Sequence, residues 1–409
     1  EGYLTVDVDL LQDPFIHPND AHRYRLDMQS IALFKKSMYL QTGDDLEKKA
    51  IDAYRKIEDA NRAFNVQRRF DFVSTGIIYT ASRIIQNILG PVPDVIDLKV
   101  SLTSGATFSK TVSNSTIADK LSCVLDVTEH ARPLVQRLLM NELLLVDCWD
   151  PANLKIVRGS KFSTVPKDFR KRRSICKEPL GNMILQRGLG LHIRGKLLKV
   201  GINLEKGQDT HKSLLTFDPD AFSTIDQSDA SDRITDRLVR ELLPLDWYLL
   251  LNQCRCKETF VDGEWVKLEK FMTQGNGFTF ELQTLIFYAL CQAISINVHS
   301  NKTMVSVYGD DVIVPAHLGM SVVKYLPMFG LSVNTEKTFI NGPFKESCGF
   351  DSLFGIAVRP FFLKEFEQNE VLFYVQLANF INRVITSIFG MPADIVRNRA
   401  WERCLSYIP

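Results

Sequence analysis

The chain has 409 residues, 45% of them hydrophobic and 24% charged, with a formal net charge of +1, which is ordinary for a globular protein of two or three subdomains sharing a core. No run reads as long and apolar enough for a membrane span, and no secretory signal opens the chain, which begins at Glu1 as a fragment or processed product would. The eight cysteines are scattered, the closest pair being Cys254 and Cys256, a pattern that fits neither a zinc site nor a disulfide framework and suits a reducing cytoplasm.

Residues 1–43 carry Pro14 and Pro18 and show no periodicity, so an irregular segment is expected. Asp44 to Phe64 predicts an amphipathic helix with Ile51, Tyr54 and Ile57 on one face, and a second helix near Thr80 to Leu89 is expected to stop at Gly90-Pro91. The small-residue stretch Ser101–Lys110, SLTSGATFSK, reads as a surface loop able to approach a phosphate backbone. Ala131 to Val146 is a leucine-rich core helix.

A charge asymmetry follows. Between Lys155 and Lys199 stand 13 Lys or Arg against only Asp168 and Glu178, a local +11 that leaves the rest of the chain about ten charges negative. One basic surface on an acidic molecule points to a polyanion held at a defined place. Within it, KFSTVPKDFRKRRSICKEP predicts two short strands joined by a charged Asp168–Arg173 turn. Such flanks would fix Lys167, Arg170, Lys171, Arg172, Arg173 and Lys177 in an array suited to a triphosphate. Asn182 to Val200 looks helical, but Gly188, Gly190 and Gly195 predict a kink or break.

Phe222 to Asp226 reads as a strand ending in a carboxylate. A helix capped by Ser231 or Asp232 is expected next, with Ile234, Leu238 and Leu242 on one face. The loop Gln274-Gly275-Asn276-Gly277 precedes an apolar helix, and its glycines would let backbone approach a ligand. Met304 to Pro315, MVSVYGDDVIVP, is a hairpin signal: β-branched runs flank Tyr308-Gly309-Asp310-Asp311, with the two carboxylates carried at the tip. Beyond it a helix from Met320 to Phe329 is expected to be interrupted at Pro327. Leu331–Asn334 and Thr338–Ile340 read as extended segments around Glu336-Lys337, GPFKESCG as a turn into a strand pair, and Glu365 onward as helical. Neighbouring aspartates call for a neutralising cation, and oxygen ligands suit Mg²⁺ or Mn²⁺. Asp226 with Asp310 and Asp311 is a set that can hold two such ions, and the basic segment supplies counter-charge for a triphosphate.

FSTIDQSDASDRITDRL, MTQGNGFTFELQTLIF, SVYGDDVIVP, NTEKTF and GPFKESCG, in that order, resemble the catalytic subunit of the replicases of small RNA bacteriophages, the leviviruses. The likeness runs from about Thr103 to Phe366. It implies an RNA-directed RNA polymerase of α+β class, a right hand of fingers, palm and thumb with an antiparallel palm sheet carrying the YGDD hairpin on helices. The expected division is 1–215 for the N-terminal region and fingers, 216–350 for the palm with 247–275 as a fingers insertion, and 351–409 for a partial thumb.

By position, the resemblance makes Asp226 and Asp310 the principal ligands of two Mg²⁺ ions, or Mn²⁺, with Asp311 beside them. It puts Lys167, Arg170, Arg172 and Arg173 on the nucleotide phosphates and Lys337 near the pyrophosphate. Ser231, Asp232, Gly275 and Asn276 are expected around the bound nucleotide. Two positions depart from the pattern of many viral RNA polymerases: Ser231 stands where a second aspartate is common, and Gln283 where an asparagine is. The implied partners are RNA template and product, NTPs, and the host elongation factors Tu and Ts with a ribosomal protein. The implied setting is the cytoplasm of an infected bacterium, with no membrane. A reverse transcriptase and a catalytically silent RNA-binding protein are the rival readings.

Overall fold

Asp45 accepts a hydrogen bond from the Lys48 backbone N–H and so starts the helix Leu46–Val66, whose Ala50, Tyr54 and Ile57 are buried as the spacing predicts. The next helix begins earlier than expected, at Phe72. Its cap is Asp71, whose carboxylate takes the Ser74 N–H and Oγ–H at 2.9 and 2.7 Å, and it ends at Gly90 as foreseen. A computed structural model describes residues 20–32, 35–36, 43–67, 70–111, 115–360, 362, 370–389, 391–396 and 398–408. Within the stretch expected to be irregular, Asp20–Ala32 is a helix, and the rest of that expectation falls largely outside the described residues. The leucine-rich segment is two helices, Arg132–Asn141 and Leu143–Val146, parted at Glu142, where the backbone is not helical.

The predicted break near Gly188 does not occur: Leu180–Lys199 is one continuous helix. Its glycines mark close packing. A Cβ on Gly188 would lie 3.0 Å from Leu98 Cβ, and one on Gly190 would lie 2.8 Å from the Gly277 carbonyl oxygen. Glycine weakens a helix locally, but here it admits neighbouring chain that no side chain would allow. A second long helix, Thr279–His299, runs through the main core and packs on Phe72–Leu89, Leu180–Lys199 and Ala316–Tyr325. Contrary to the sequence reading, this helix is long and apolar enough to cross a membrane by composition. With 78% of its apolar window buried inside the protein, it is a core helix.

Two sheets frame the site. In the first, Phe222–Ile225 pairs antiparallel with Asp311–Pro315, which pairs antiparallel with Ser306–Tyr308. In the second, the order is Lys171–Lys177, Ser160–Asp168, Glu258–Val261, Glu264–Lys267, with the middle pair parallel. The strands of the basic hairpin are longer than predicted, so Arg172 and Arg173 lie on a strand and the turn is only Phe169-Arg170. Phe344–Ser347, Phe350–Leu353 and Ile356–Ala357 form a third, antiparallel sheet. Ala316–Tyr325 gives way to a 3₁₀ turn, Leu326–Phe329, at Pro327. The C-terminal helices are Glu370–Phe389 and Arg399–Leu405; residues 363–369 lie outside the described set.

Candidate active site

Register builds the site. Ile225 faces Val312 and Tyr308 faces Asp311, so Asp226, one residue past its strand, comes opposite Asp311, and Gly309-Asp310 forms a two-residue turn. Gly309 has φ +66° while Asp310 has no positive φ, the pattern of a II′ hairpin turn. The core helix holds that turn. Thr284 Oγ1 accepts the Gly309 N–H at 3.0 Å, and the Phe280 ring packs edge-on against Tyr308 with centroids 4.9 Å apart. A Cβ at Gly309 would fall 2.6 Å from Phe280, so both conformation and space require glycine there.

The three carboxylates share one electrostatic environment. Burial pushes Asp311 up to about 6, helped by the negative charges of Asp310 and Asp226. Burial also raises Asp226, opposed by Lys337 and by a hydrogen bond from Asn334. Asn334 grips Asp226 twice: its Nδ2 donates to Oδ2 at 2.8 Å and its backbone N–H to the Asp226 carbonyl at 2.9 Å. Asn334 was not singled out in the sequence, although it directly precedes Thr335-Glu336-Lys337. Lys337 closes that 3₁₀ turn, half exposed, 3.8 Å from Glu346 Oε1 and within the field of both Asp226 and Lys167.

Crowded, partly desolvated carboxylates are a donor set suited to hard divalent cations. Among the described residues, no three His, Cys, Asp or Glu side chains are already gathered closely enough to hold a metal ion. The donor chemistry fits such an ion; the side chains would have to turn together to share one.

Asp310 opens onto a cleft of about 520 Å³. Of the residues expected at the nucleotide, Arg173, Ser231, Gly275 and Asn276 line it, as does Gln283; Lys167, Arg170, Arg172 and Asp232 do not. Strand alternation explains the arginines. Arg173 lies on one face, while Arg172 on the other donates from Nε to Thr164 Oγ1 at 2.6 Å. Lys167 remains close to Arg173 and Lys337, and Arg170 is exposed at the turn.

Asp232 is a correction in two respects. It does not cap a helix: Ala230–Arg233 is a single turn, and the following helix, Asp236–Leu242, is capped by Thr235. Nor does its carboxylate face the cleft, because it accepts from the fully buried Lys270 at 2.8 Å. Gly275, at φ +132°, does permit a close approach, but to protein: its Cβ would meet the Cys176 carbonyl oxygen at 2.0 Å. The Asn276 Oδ1 accepts the Phe278 N–H at 3.0 Å, leaving Nδ2 without a partner among the described residues. Arg187, Arg194 and Glu281 also line the cleft. Both arginines lay within the basic stretch, seven residues apart, a spacing that puts them on one helix face.

The chain has a mixed helix–sheet fold with paired aspartates on a hairpin beside a basic cleft, and solved viral RNA-dependent RNA polymerases share that fold. The structure matches that of the insertion loop deletion mutant of the RNA-dependent RNA polymerase of a human picorbirnavirus with a TM-score of 0.51, over 94% of this chain and 79% of that one, at 13% identity. At that identity the likeness establishes the fold alone. The model of the family described as RNA replicase, beta-chain matches residues 48–387, and the chain belongs to this family.

Its relatives include the RNA-directed RNA polymerase beta chain of Escherichia phage MS2, 34% identical over 311 residues, which are 75% of this chain and 55% of that protein. The beta chain of Enterobacteria phage fr is 40% identical over 248 residues, 60% of this chain and 42% of that one. The resemblance to small RNA phage replicases is borne out. The chain spans about half the length of the relatives it matches.

Proposed function

We propose that this chain carries the polymerising core of an RNA-directed RNA polymerase that copies a viral positive-strand RNA genome from NTPs. The observation that carries the reading is the register placing Asp226 opposite Asp311, with Asp310 at the mouth of an arginine-lined cleft. In this reading the three-stranded sheet is the palm and the four-stranded sheet with the basic hairpin belongs to the fingers, the strands within 247–275 being the insertion. The segment from 351 onward is part of the thumb.

Asp226, Asp310 and Asp311 would hold two Mg²⁺ ions, or Mn²⁺. Bound there, these supply activation of the 3′-hydroxyl and neutralisation of the leaving oxygen. Asn334 keeps the Asp226 carboxylate oriented. Arg173, with Lys167 beside it, binds the phosphates, and Lys337 offsets charge developing on pyrophosphate. Ser231, Asn276 and Gln283, polar groups lining the cleft, would read the ribose.

The test is template-directed extension by the purified chain. Asp226→Asn and Asp310→Asn should each abolish incorporation while RNA binding changes little, because one lost carboxylate disrupts alignment and leaves the basic cleft intact. Near-wild-type turnover in either variant sinks the assignment. Ribonucleotides should be preferred over deoxyribonucleotides on the same RNA template; the reverse preference identifies a reverse transcriptase. Adding lysate of the bacterial host tests the expected elongation factors and ribosomal protein: a stimulation lost on their depletion supports them, and no stimulation removes them.

A further inference from the structure

Three arginines line the cleft, and their charges are met differently. Arg194 donates from Nε and a terminal nitrogen to Glu281 Oε1 at 3.1 and 2.6 Å, so its cation is balanced within the protein. Arg173 and Arg187 have no carboxylate partner among the described residues. Arg187 is the more unusual, because its Nε is buried and without a hydrogen-bond partner. Its position is built. A Cβ on Gly277 would fall 2.8 Å from Arg187 Cγ and 2.7 Å from its backbone nitrogen, so the glycine makes room for the stem. The Gly277 N–H is itself fastened to Gln186 Oε1 at 3.0 Å.

Nearby, the almost fully buried Lys120 donates from Nζ to the Thr103 carbonyl and adds like charge to the field at Arg187. Thr103, from the small-residue loop singled out in the sequence, lines the same cleft. Arg187 is only partly buried and opens on the cleft, and a buried Nε–H with no acceptor, on a guanidinium beside another cation, is unfavourable unless an anion in the cleft completes the group's bonding.

We propose that Arg187 is a phosphate-binding residue of this cleft, receiving a phosphate of the RNA backbone or of the incoming nucleotide on a guanidinium that the protein leaves unpaired. The proposal rests on the polymerase reading only for the source of that phosphate.

The experiment compares wild type, Arg187→Met and Arg187→Lys in two arms. In the first, affinity for a single-stranded oligoribonucleotide is measured from 50 to 300 mM salt. If the phosphate is RNA backbone, Arg187→Met should weaken binding about tenfold and reduce the salt slope by about 0.7, whereas Arg187→Lys should weaken binding but keep the slope. In the second arm, tripolyphosphate binding and the KM for NTP are measured. If the phosphate is the nucleotide's, Arg187→Met should raise both the Kd for tripolyphosphate and the KM for NTP about tenfold while RNA affinity holds.

Either pattern supports the proposal. Folded Arg187→Met protein that binds both ligands within twofold of wild type overturns it. Should the Met variant fail to fold, an unchanged Arg187→Lys overturns it equally, since lysine loses the two-pronged contact. Arg187-dependent binding in a wild-type chain that incorporates no nucleotide refutes the polymerase reading and leaves this one standing. Unaltered binding and KM in an active Arg187→Met enzyme does the opposite.

Discussion

His211 lies behind the aspartate hairpin, fully buried, its Nδ1 hydrogen-bonded to Ser347 Oγ at 2.8 Å and its Nε2 without a partner. Burial lowers its pKa to about 4. The unfolded chain takes up this proton near pH 6.5 while the folded one holds off until about 4, so stability present above pH 6.5 is lost as pH falls through that window. The full loss is about 3 kcal/mol. Asp311 and Asp351, both pushed up to about 6 by burial, act in the opposite sense below pH 6. The difference between wild type and His211→Gln isolates the histidine: chemical denaturation at pH 7.5 and 4.5 should show the variant losing about 2 kcal/mol less, and parallel losses would discount it. At the same scale, Asn334→Ala removes the amide hydrogen bond that orients Asp226. Turnover should fall about tenfold, the worth of one charge-assisted hydrogen bond, while KM for NTP moves less than threefold. A change confined to KM would place Asn334 outside the alignment of Asp226.

Among the elements, the glycine-bracketed loop and the Leu180–Lys199 helix show what the sequence could and could not disclose. The aspartate hairpin was legible because its chemistry is local: β-branched runs, a two-residue turn and a period of two determine the strands and their tip. Leu46–Val66 was legible from its apolar stripe. The glycines were not. A glycine announces that something comes close without saying what, and at Gly188, Gly190 and Gly275 the visitor is the protein's own chain. Arg187 and Asp232 were illegible for a related reason, since a charge in a sequence carries no record of its partner. Gly275→Ala should therefore destabilise, because the Cβ meets the Cys176 carbonyl and the positive φ disfavours any side chain. The cost is about 2–4 kcal/mol by overpacking and backbone strain together, read as a shift in denaturation midpoint. A fall in activity with no fall in stability would return Gly275 to the ligand.

At the scale of the molecule, Lys270 fastens the helix Leu46–Val66 to the segment following Asp226. Its buried ammonium lies 3.2 Å from Glu58 and 2.8 Å from Asp232, over the Tyr54 ring, and Asn61 Nδ2 donates to the Asp232 carbonyl at 2.7 Å. Lys270→Ala strands two buried carboxylates and should cost about 3–5 kcal/mol, whereas Lys270→Met with Glu58→Leu and Asp232→Leu should recover most of it. Equal losses in the single and triple variants would mean that shape rather than charge is at stake. The core helix Thr279–His299 carries a consequence for how such a chain is made. Its principal neighbour, Phe72–Leu89, leaves the ribosome long before it does, so a docking surface is already in place when the apolar segment emerges. By composition that segment is long and apolar enough for a bilayer, and packing on its neighbours, Phe72–Leu89 first among them, is what buries it. Order of synthesis thus acts as a chaperone, and a circular permutant that began at residue 279 should aggregate or associate with membranes where the natural order folds.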